Sequence, residues 1–406
     1  MAPEKFKAII IGGGPAGLTA AHILYKAGID FVVLEARDKV VVDHGAAMVL
    51  GPQNLRVIRQ LGLYDKLLEI GAELLSVKGF LQDGRVFKDV PELETFKENH
   101  GIGLVAFHRA QLVQFFYDNF PDETKARYLT NKRVTSIESG EEGVKVTAAD
   151  GSVFEGSIVI GADGVHSVAR KIVRELALAE DPKRDWDPEN PFPAEYRCLW
   201  FSFPPPTEPD TVYDDKDVED FVAKVAEYPV TETLKVKDLF EKRQTAGLSD
   251  LGEGIAMHWS WGRIVLVGDA IHKFTPNAGL GLNNAIQDIV ALTNGLHTAI
   301  KAAPGGQADN QTLSGVFRTY REQRVEGLQQ DYDRSALVTR LQAWRSRLHF
   351  FLSRFVFSWP FISRFVVNRV VSPVVRRGLV LSYVPSTDLP KGRISWEHQI
   401  PAAKVV

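Results

Sequence analysis

Residues 268–288 read Gly-Asp-Ala-Ile-His-Lys-Phe-Thr-Pro-Asn-Ala-Gly-Leu-Gly-Leu-Asn-Asn-Ala-Ile-Gln-Asp. Asp269 follows a short apolar run, Ile264–Val267, and glycines at 279 and 281 precede an apolar-periodic stretch. A carboxylate at a strand end can accept hydrogen bonds from the hydroxyls of a sugar-like chain. Glycines at a helix start let backbone amides approach a negative ligand. Together these groups suit a flavin, whose reduced ring carries negative charge. A second chemistry-bearing run is Gly12-Gly-Gly-Pro-Ala-Gly17, with Gly12, Gly14 and Gly17 at the G-x-G-x-x-G positions and an acid at Glu35. The glycines, with Ala16 between them, would form the turn that admits a pyrophosphate to a helix N-terminus, and Glu35 would accept hydrogen bonds from the adenosine ribose. A carboxylate there disfavours a 2′-phosphate, so FAD or NAD fits better than NADP.

These residues need particular elements to place them. Phe6–Ile11 reads as a buried strand, residues up to Ala27 as a helix ended by Gly28, and Phe31–Glu35 as a second strand: a βαβ unit. Ser157–Arg170 repeats the pattern of apolar strand, glycine-containing turn and helix, with Asp163 and Gly164 at the strand end. Ala110–Phe116 reads as a helix opened by Arg109, whose guanidinium could pair with a pyrophosphate or ribityl chain. The fold class expected is α/β: a doubly wound, Rossmann-like FAD domain assembled from residues 1–175 and 245–330, a shortened β-sheet substrate region at 176–244, and a helical C-terminal extension at 331–406.

At this point the chain resembles the FAD-dependent aromatic hydroxylases, the single-component flavoprotein monooxygenases. Their Asp-Gly motif is matched by Ala162, Asp163, Gly164, Ser167 and Arg170. Their Gly-Asp motif is matched by Gly268, Asp269, Ala270, His272, Pro276, Gly279, Gly281, Asn283 and Asp288. Asp269–Asn277 and Gln60–Asp65 resemble the fungal branch acting on meroterpenoids and indole diterpenes. The resemblance implies FAD contacts at Glu35, around Gly45–Val49 (Ala46 and Val49 in particular), and at Arg109, Asp163, Gly164, Asp269, Pro276, Gly279, Gly281 and Leu282. It also implies reduction by NADPH or NADH, reaction with O2 through a flavin C4a-hydroperoxide, and epoxidation or hydroxylation of a hydrophobic, prenylated or terpenoid intermediate. Arg197 stands where that branch carries a suspected catalytic arginine. His272, like His108 and His166, reads better as a structural residue than as a general base.

Other features narrow the reading. No second dinucleotide fingerprint occurs, which argues against a two-site flavin reductase. Trp259-Ser-Trp261 superficially matches a halogenase motif but lacks its final isoleucine and proline, and reads as core aromatic residues. Among 406 residues there is one cysteine, Cys198, expected to be a buried structural residue, and the net charge of −3 gives no reason to expect nucleic acid. No metal pattern appears. The chain enters its first strand almost at once, leading to the expectation of an intracellular, cytoplasmic protein.

The departure from the family lies between the second and third motifs. Tyr196–Leu199 resembles the start of a roof strand but runs directly into Trp200–Phe203 and the proline-rich run Pro204–Asp210, and the strands that normally intervene look absent. An incomplete roof would leave a flavin-binding but impaired or uncoupled protein; an FAD oxidase or dehydrogenase is a further alternative. Glu208–Asp220 reads as a solvated acidic loop, and Pro304–Asn310 as a turn between helices. From Arg334 to Thr387 there is no acidic residue, while arginines at 340, 345, 347, 354, 364, 369, 376 and 377 alternate with aromatic and aliphatic residues. Two readings of 340–384 stay open: peripheral contact with an anionic membrane at its cytosolic face, or a helical pair packed on the FAD domain with its arginines snorkelling.

Overall fold

The computed structural model describes residues 5–402 except 43–46, 82, 91–92, 203–215, 232 and 244. Its centre is a six-stranded sheet ordered Ser260–Trp261, Ile264–Leu266, Ile158–Gly161, β1 (Lys7–Ile11), β2 (Asp30–Leu34) and Tyr128–Leu129. All neighbours are parallel except the Ser260–Trp261 edge. Strands covered on both faces must be apolar throughout, and Ile9, Ile10, Val159, Ile160, Val265 and Leu266 are each fully buried. The three expected strands are therefore adjacent, so all three glycine-rich turns leave the same end of one sheet.

Helix α1 (Pro15–Ala27) follows β1 and ends at Gly28, whose left-handed φ of 68° lets its amide close the last turn. The helix Gly281–Ala302 packs across α1 and against the 33-residue helix Asn310–Gln342. A side sheet carries β3 (Ala47–Leu50) beside Leu104–His108 and Ala72–Leu74, and leads into α2 (Pro52–Leu61). The middle region contributes, among the described residues, a two-stranded antiparallel sheet of Ala194–Ser202 and Thr245–Gly252. Pro304–Asn310 is a turn before the long helix, as its composition implies.

Several expectations change. The acidic run is not all loop: residues 208–215 lie outside the described set, but Lys216–Val225 is helical. Cys198 lies within the strand Ala194–Ser202 and is half-buried rather than enclosed, burial still pushing its thiol pKa up. Residue 331, the expected start of the C-terminal extension, falls inside the helix Asn310–Gln342, because its buried residues Leu328, Asp331, Ser335 and Thr339 continue one face without interruption. Among the described residues the extension is helical only as far as Val375. Beyond it the chain forms an irregular strap laid over α2 and the helix Glu94–His100. Fully buried Arg56 donates Nε to Asp388 Oδ1 (3.0 Å) and Nη2 to Asp388 Oδ2 (2.8 Å) and stacks over Trp396. The Gln60 amide bonds the backbone at Leu381 and Val384.

Removing one partner of a buried ion pair leaves the other desolvated and unpaired. Asp388→Ala is expected to cost about 3 kcal/mol, the low end of the usual range because Asp388 is 31% exposed. Urea unfolding would measure it. Burial also holds two imidazoles neutral: His22, bonded to Phe116 O at 2.8 Å, and His100, against Trp396, both have pKa values pushed down to about 4. The unfolded state then binds more protons between pH 6.5 and 4, so stability is full above 6.5 and falls as the pH is lowered through that window. The expected loss is about 2 kcal/mol per imidazole at pH 5, and His22→Gln/His100→Gln should flatten the dependence in urea titrations at pH 7 and pH 5.

Candidate functional site

The turn after β1 is shaped by close approaches. Gly12 has φ of 101°, and a Cβ there would lie 2.6 Å from Ala162 O; one on Gly17 would lie 1.9 Å from Gly12 O. Neither position accepts a side chain. Gly14 differs: a Cβ there would meet nothing within 4 Å, because the residue faces a cavity lined also by Ala16. Helix α1 has no side-chain N-cap and no acid in its first turn, so its free amides present positive charge to that cavity. Glu35 is buried, and its carboxylate accepts from Gly13 N at 2.7 Å and Arg37 N at 3.0 Å, which fixes it at the cavity edge. Tyr128, which the sequence motifs do not mark, donates its hydroxyl to Gly13 O at 3.1 Å and stiffens the turn.

The second turn is built differently. The Asp163 carboxylate accepts from Ser167 Oγ (2.5 Å), Val168 N (2.7 Å) and Ala169 N (3.0 Å), so it caps the helix Val168–Glu180 although its residue lines the cavity. Its burial pushes its pKa up against those three hydrogen bonds. Gly164 takes φ of 78°, with open space where a Cβ would be. Arg170 donates to Val165 O and to Ala270 O, both at 2.8 Å, and so ties the second turn to the third.

The third turn places Asp269 beside the N-terminus of the helix Gly281–Ala302, which again has no side-chain cap; a Cβ on Gly281 would sit 3.6 Å from Asp269 Oδ1. Asp269 lies deep in the protein but opens onto the cavity. Depth pushes its pKa up, opposed by His272, Lys273 and Arg109. Arg109 lines the same wall; burial and neighbouring Arg37 push its pKa down, against Glu35 and Asp269. Pro276, Gly279 (φ 64°), Gly281 and Leu282 line the cavity, as does Val49. Asn283 organises this corner: Nδ2 donates to Val49 O and Gly279 O (2.7 Å each), and Oδ1 accepts from Gly51 N (2.8 Å) and Asn54 Nδ2 (2.7 Å).

Sequence-expected residues are thus brought together at Gly12, Gly14, Ala16, Glu35, Val49, Arg109, Asp163, Gly164, Asp269, Pro276, Gly279, Gly281 and Leu282, all on one cavity wall. Gly17 stands behind it as a packing residue. Ala46 lies outside the described residues. Arg197 sits in the register of the two-stranded sheet opposite Asp250, and its side chain lies outside the described set. His166 faces the cavity, whereas fully buried His272 bonds Asp288 at 2.7 Å and stands behind the wall, in keeping with a structural role. Trp259 is core, its indole donating to Ala256 O at 2.7 Å.

The cavity measures about 2310 Å³, well above the size of an ordinary small-ligand pocket. Its floor offers two uncapped helix N-termini, Glu35, Arg109 and Asp269. These fit a dinucleotide: an anionic pyrophosphate at α1 beside Gly14, ribose hydroxyls at Glu35, and a flavin half near Asp269 and Gly281. Its far wall is mostly apolar and comes from the hairpin Val77–Phe80/Val86–Val90 (Phe80, Phe87) and from the C-terminal region (Phe357, Val366, Val370, Val374), with Lys78, Lys88, Arg369 and Arg377 interspersed. No residue of the strands Ala194–Ser202 or Thr245–Gly252 is among its described lining. Among the described residues no cluster of metal-ligating side chains occurs.

Known proteins agree with this geometry. The model of the FAD binding domain matches residues 5–184 and 198–335. The FAD-dependent monooxygenase nodM of Hypoxylon pulicicidum is 32% identical over 434 aligned positions, covering 96% of this chain and 91% of the relative. The FAD-dependent monooxygenase spyC of Aspergillus fumigatus is 33% identical, covering 84% and 81%. Since 434 positions exceed 406 residues, the alignment with nodM passes over stretches that this chain lacks. Among solved structures, Klebsiella pneumoniae HpxO complexed with FAD and uric acid superposes with a TM-score of 0.64 at 22% identity, covering 91% of this chain and 96% of that one. The anhydrotetracycline hydroxylase OxyS of Streptomyces rimosus gives 0.64 at 20%, covering 91% and 75%.

Gly14 offers a clean test of the cofactor site, because its φ of −73° suits any residue and its missing Cβ points into open cavity. Gly14→Val, at the N-cap of α1, should cost the cofactor-free protein no more than about 1 kcal/mol in urea unfolding and weaken FAD binding by about 1–3 kcal/mol, a typical overpacking cost, read by flavin fluorescence titration. With its three glycine-rich turns on one cavity wall and its match to this domain over most of its length, the chain belongs to the FAD binding domain family, as an FAD-dependent monooxygenase akin to the fungal enzymes named above.

Proposed function

We propose that the protein uses NADPH or NADH and O2 to hydroxylate or epoxidise a hydrophobic intermediate of secondary metabolism, of prenylated aromatic or terpenoid type. The balance is one oxygen atom to substrate and one to water, with the nicotinamide supplying two electrons. FAD, when bound, supplies the transfer of those electrons to oxygen. The observation that carries the reading is the cavity's two-faced lining: a polar floor at Glu35, Arg109 and Asp269, and a mostly apolar far wall that includes Phe80, Phe87, Phe357, Val366 and Val370. A space larger than an ordinary ligand pocket, with apolar walls beside the flavin half, suits a lipophilic substrate and keeps water from the reacting atoms.

The chain's own residues have distinct tasks in this scheme. The amides of Gly281 and Leu282 at an uncapped helix start favour negative charge on a reduced ring. Asp269 holds hydroxyls of the cofactor chain, and Arg109 balances its charge. No side chain need act as a nucleophile. The proposal extends to an intracellular, cytoplasmic enzyme whose segment 340–384 touches the cytosolic face of a membrane.

A second reading keeps FAD but uncouples it, giving hydrogen peroxide in place of product. It is favoured by the two-stranded middle sheet and by the stretches passed over in the alignment with nodM. One experiment separates them. The FAD-loaded protein is mixed with NADPH or NADH in ¹⁸O₂, with and without a farnesylated phenol, and product and peroxide are both measured. Productive oxygenation predicts that the phenol speeds nicotinamide oxidation, by about 10-fold or more if it triggers closure of the site as induced fit allows, with one labelled oxygen in the product. Stoichiometric peroxide without labelled product selects the uncoupled reading.

A further inference from the structure

We propose that the bent helical hairpin of residues 347–375 docks on an anionic lipid surface and that the cavity takes its substrate from that surface. The hairpin has two arms, Arg347–Val356 and Pro360–Val375, meeting at 105°. No single described helix is long and apolar enough to cross a membrane. The bend carries the most exposed aromatic residues among those described: Trp359 at 65% and Phe361 at 74%, flanked by Phe351, Phe355 and Phe365, each more than half exposed. A soluble surface rarely leaves five large aromatic residues together in water. Tryptophan and phenylalanine at the apex of a short wedge suit the boundary between headgroups and acyl chains.

Charge selects the occupant. Between Arg334 and Thr387 the sequence contains no acid. Some of its arginines are held by carboxylates elsewhere in the chain, as Arg340 is by Glu253 and Arg364 by Glu98. Arg347 and Arg369 are exposed and have no carboxylate partner among the described residues. A second copy of this chain meeting the same face would set arginine against arginine, whereas an anionic bilayer supplies the missing negative charge.

Position ties this face to the site. On the inner side of the same hairpin, Phe357 at the bend and Val366 and Val371 on the second arm line the cavity. Arg369 and Val370 both line it and stand exposed, as does Trp344, so the arm that carries the apolar apex also forms part of the cavity's rim. A hydrophobic molecule dissolved in the bilayer would enter there without crossing water. The loading route rests on the cavity being an oxygenation chamber; the docking does not.

The test uses the FAD-loaded full chain in flotation with vesicles of phosphatidylcholine alone or mixed with phosphatidylserine. Binding to the mixed vesicles is expected, weakened by salt and by Arg347→Glu/Arg369→Glu, about 5-fold per arginine. Trp359→Ser/Phe361→Ser/Phe365→Ser alters only exposed apex side chains, so its flavin spectrum and unfolding midpoint should match the parent while vesicle affinity falls about 10-fold or more. Absence of flotation, or equal flotation of parent and triple variant, overturns the docking. So does a parent dimer that the triple variant turns into monomer without altered vesicle binding, which identifies a second copy as the occupant. For the route, a farnesylated phenol is supplied in vesicles or in detergent: the triple variant should be slowed only with vesicles, and equal slowing in both overturns the route. If the phenol stimulates neither protein in either form, the monooxygenase reading fails for this substrate class while the flotation result still decides the docking.

Discussion

A buried carboxylate holds the site together. Asp288 is fully buried and accepts from His272 Nε2 (2.7 Å), Arg324 Nε (2.8 Å) and Gly268 N (3.1 Å). Burial alone would push its pKa up, but the pull of His272 and Arg324 holds it below the usual carboxylate range. A charge in that position cannot lose a partner cheaply. The three partners come from the turn after Ile264–Leu266 and from the helix Asn310–Gln342, while Asp288 rides on the helix Gly281–Ala302. Satisfying one anion therefore sets the distance between the turn that carries Asp269 and the helix start beside it. Arg324 also donates to Asn284 Oδ1 at 2.6 Å, and Asn284 to Asp331 at 2.8 Å, which extends the constraint along both helices. Tyr320, fully buried, closes the cluster with a hydroxyl bond to Leu266 O at 3.2 Å.

From that constraint the polar half of the cavity follows. The turn after Ile11, the turn after Gly161 and the turn after Leu266 leave adjacent parallel strands at one end, as ligand-binding turns do in open α/β sheets. Arg170 and Asn283 then lock them: the first bonds the second turn to the third, the second bonds the helix Gly281–Ala302 to β3 and the start of α2. Free amides at two helix starts, glycines with open Cβ positions at 14 and 164 and one oriented carboxylate are what an anionic dinucleotide requires.

The apolar half has a different origin. It is not supplied by the described part of the middle sheet but by the hairpin Val77–Phe80/Val86–Val90 from the N-terminal half and by helices beyond residue 350. Those helices are fastened to the helix Glu94–His100, where Asn99 donates to Asn368 and Ser372 and Glu98 pairs with Arg364, and the C-terminal strap packs beside them. Arg56, Gln60 and the backbone of Asn99 and His100 receive Asp388, Leu381, Gly392 and Ile394, so a segment that composition marks only as basic and amphipathic becomes a wall of the chamber.

Much of the site was legible because its chemistry is local. A glycine that must take φ of 101°, an apolar run of strand length and an acid at a strand end leave marks within a few residues, and the βαβ order and the wall from Gly12 to Leu282 follow from them. Asp163 shows the boundary of such reading: its motif locates the turn, yet whether its carboxylate meets a ligand or caps a helix depends on where Ser167 and Val168 fold back. Tyr128, Arg56 and Arg324 carry no local mark, since each acts on a residue 36 to 332 positions away. By itself the sequence determined the cofactor class and the strand-turn-helix units, because backbone sterics and helix-end electrostatics act over short range. Only the tertiary structure decided what walls the chamber and where it opens, because burial and long-range ion pairing are properties of the packed chain.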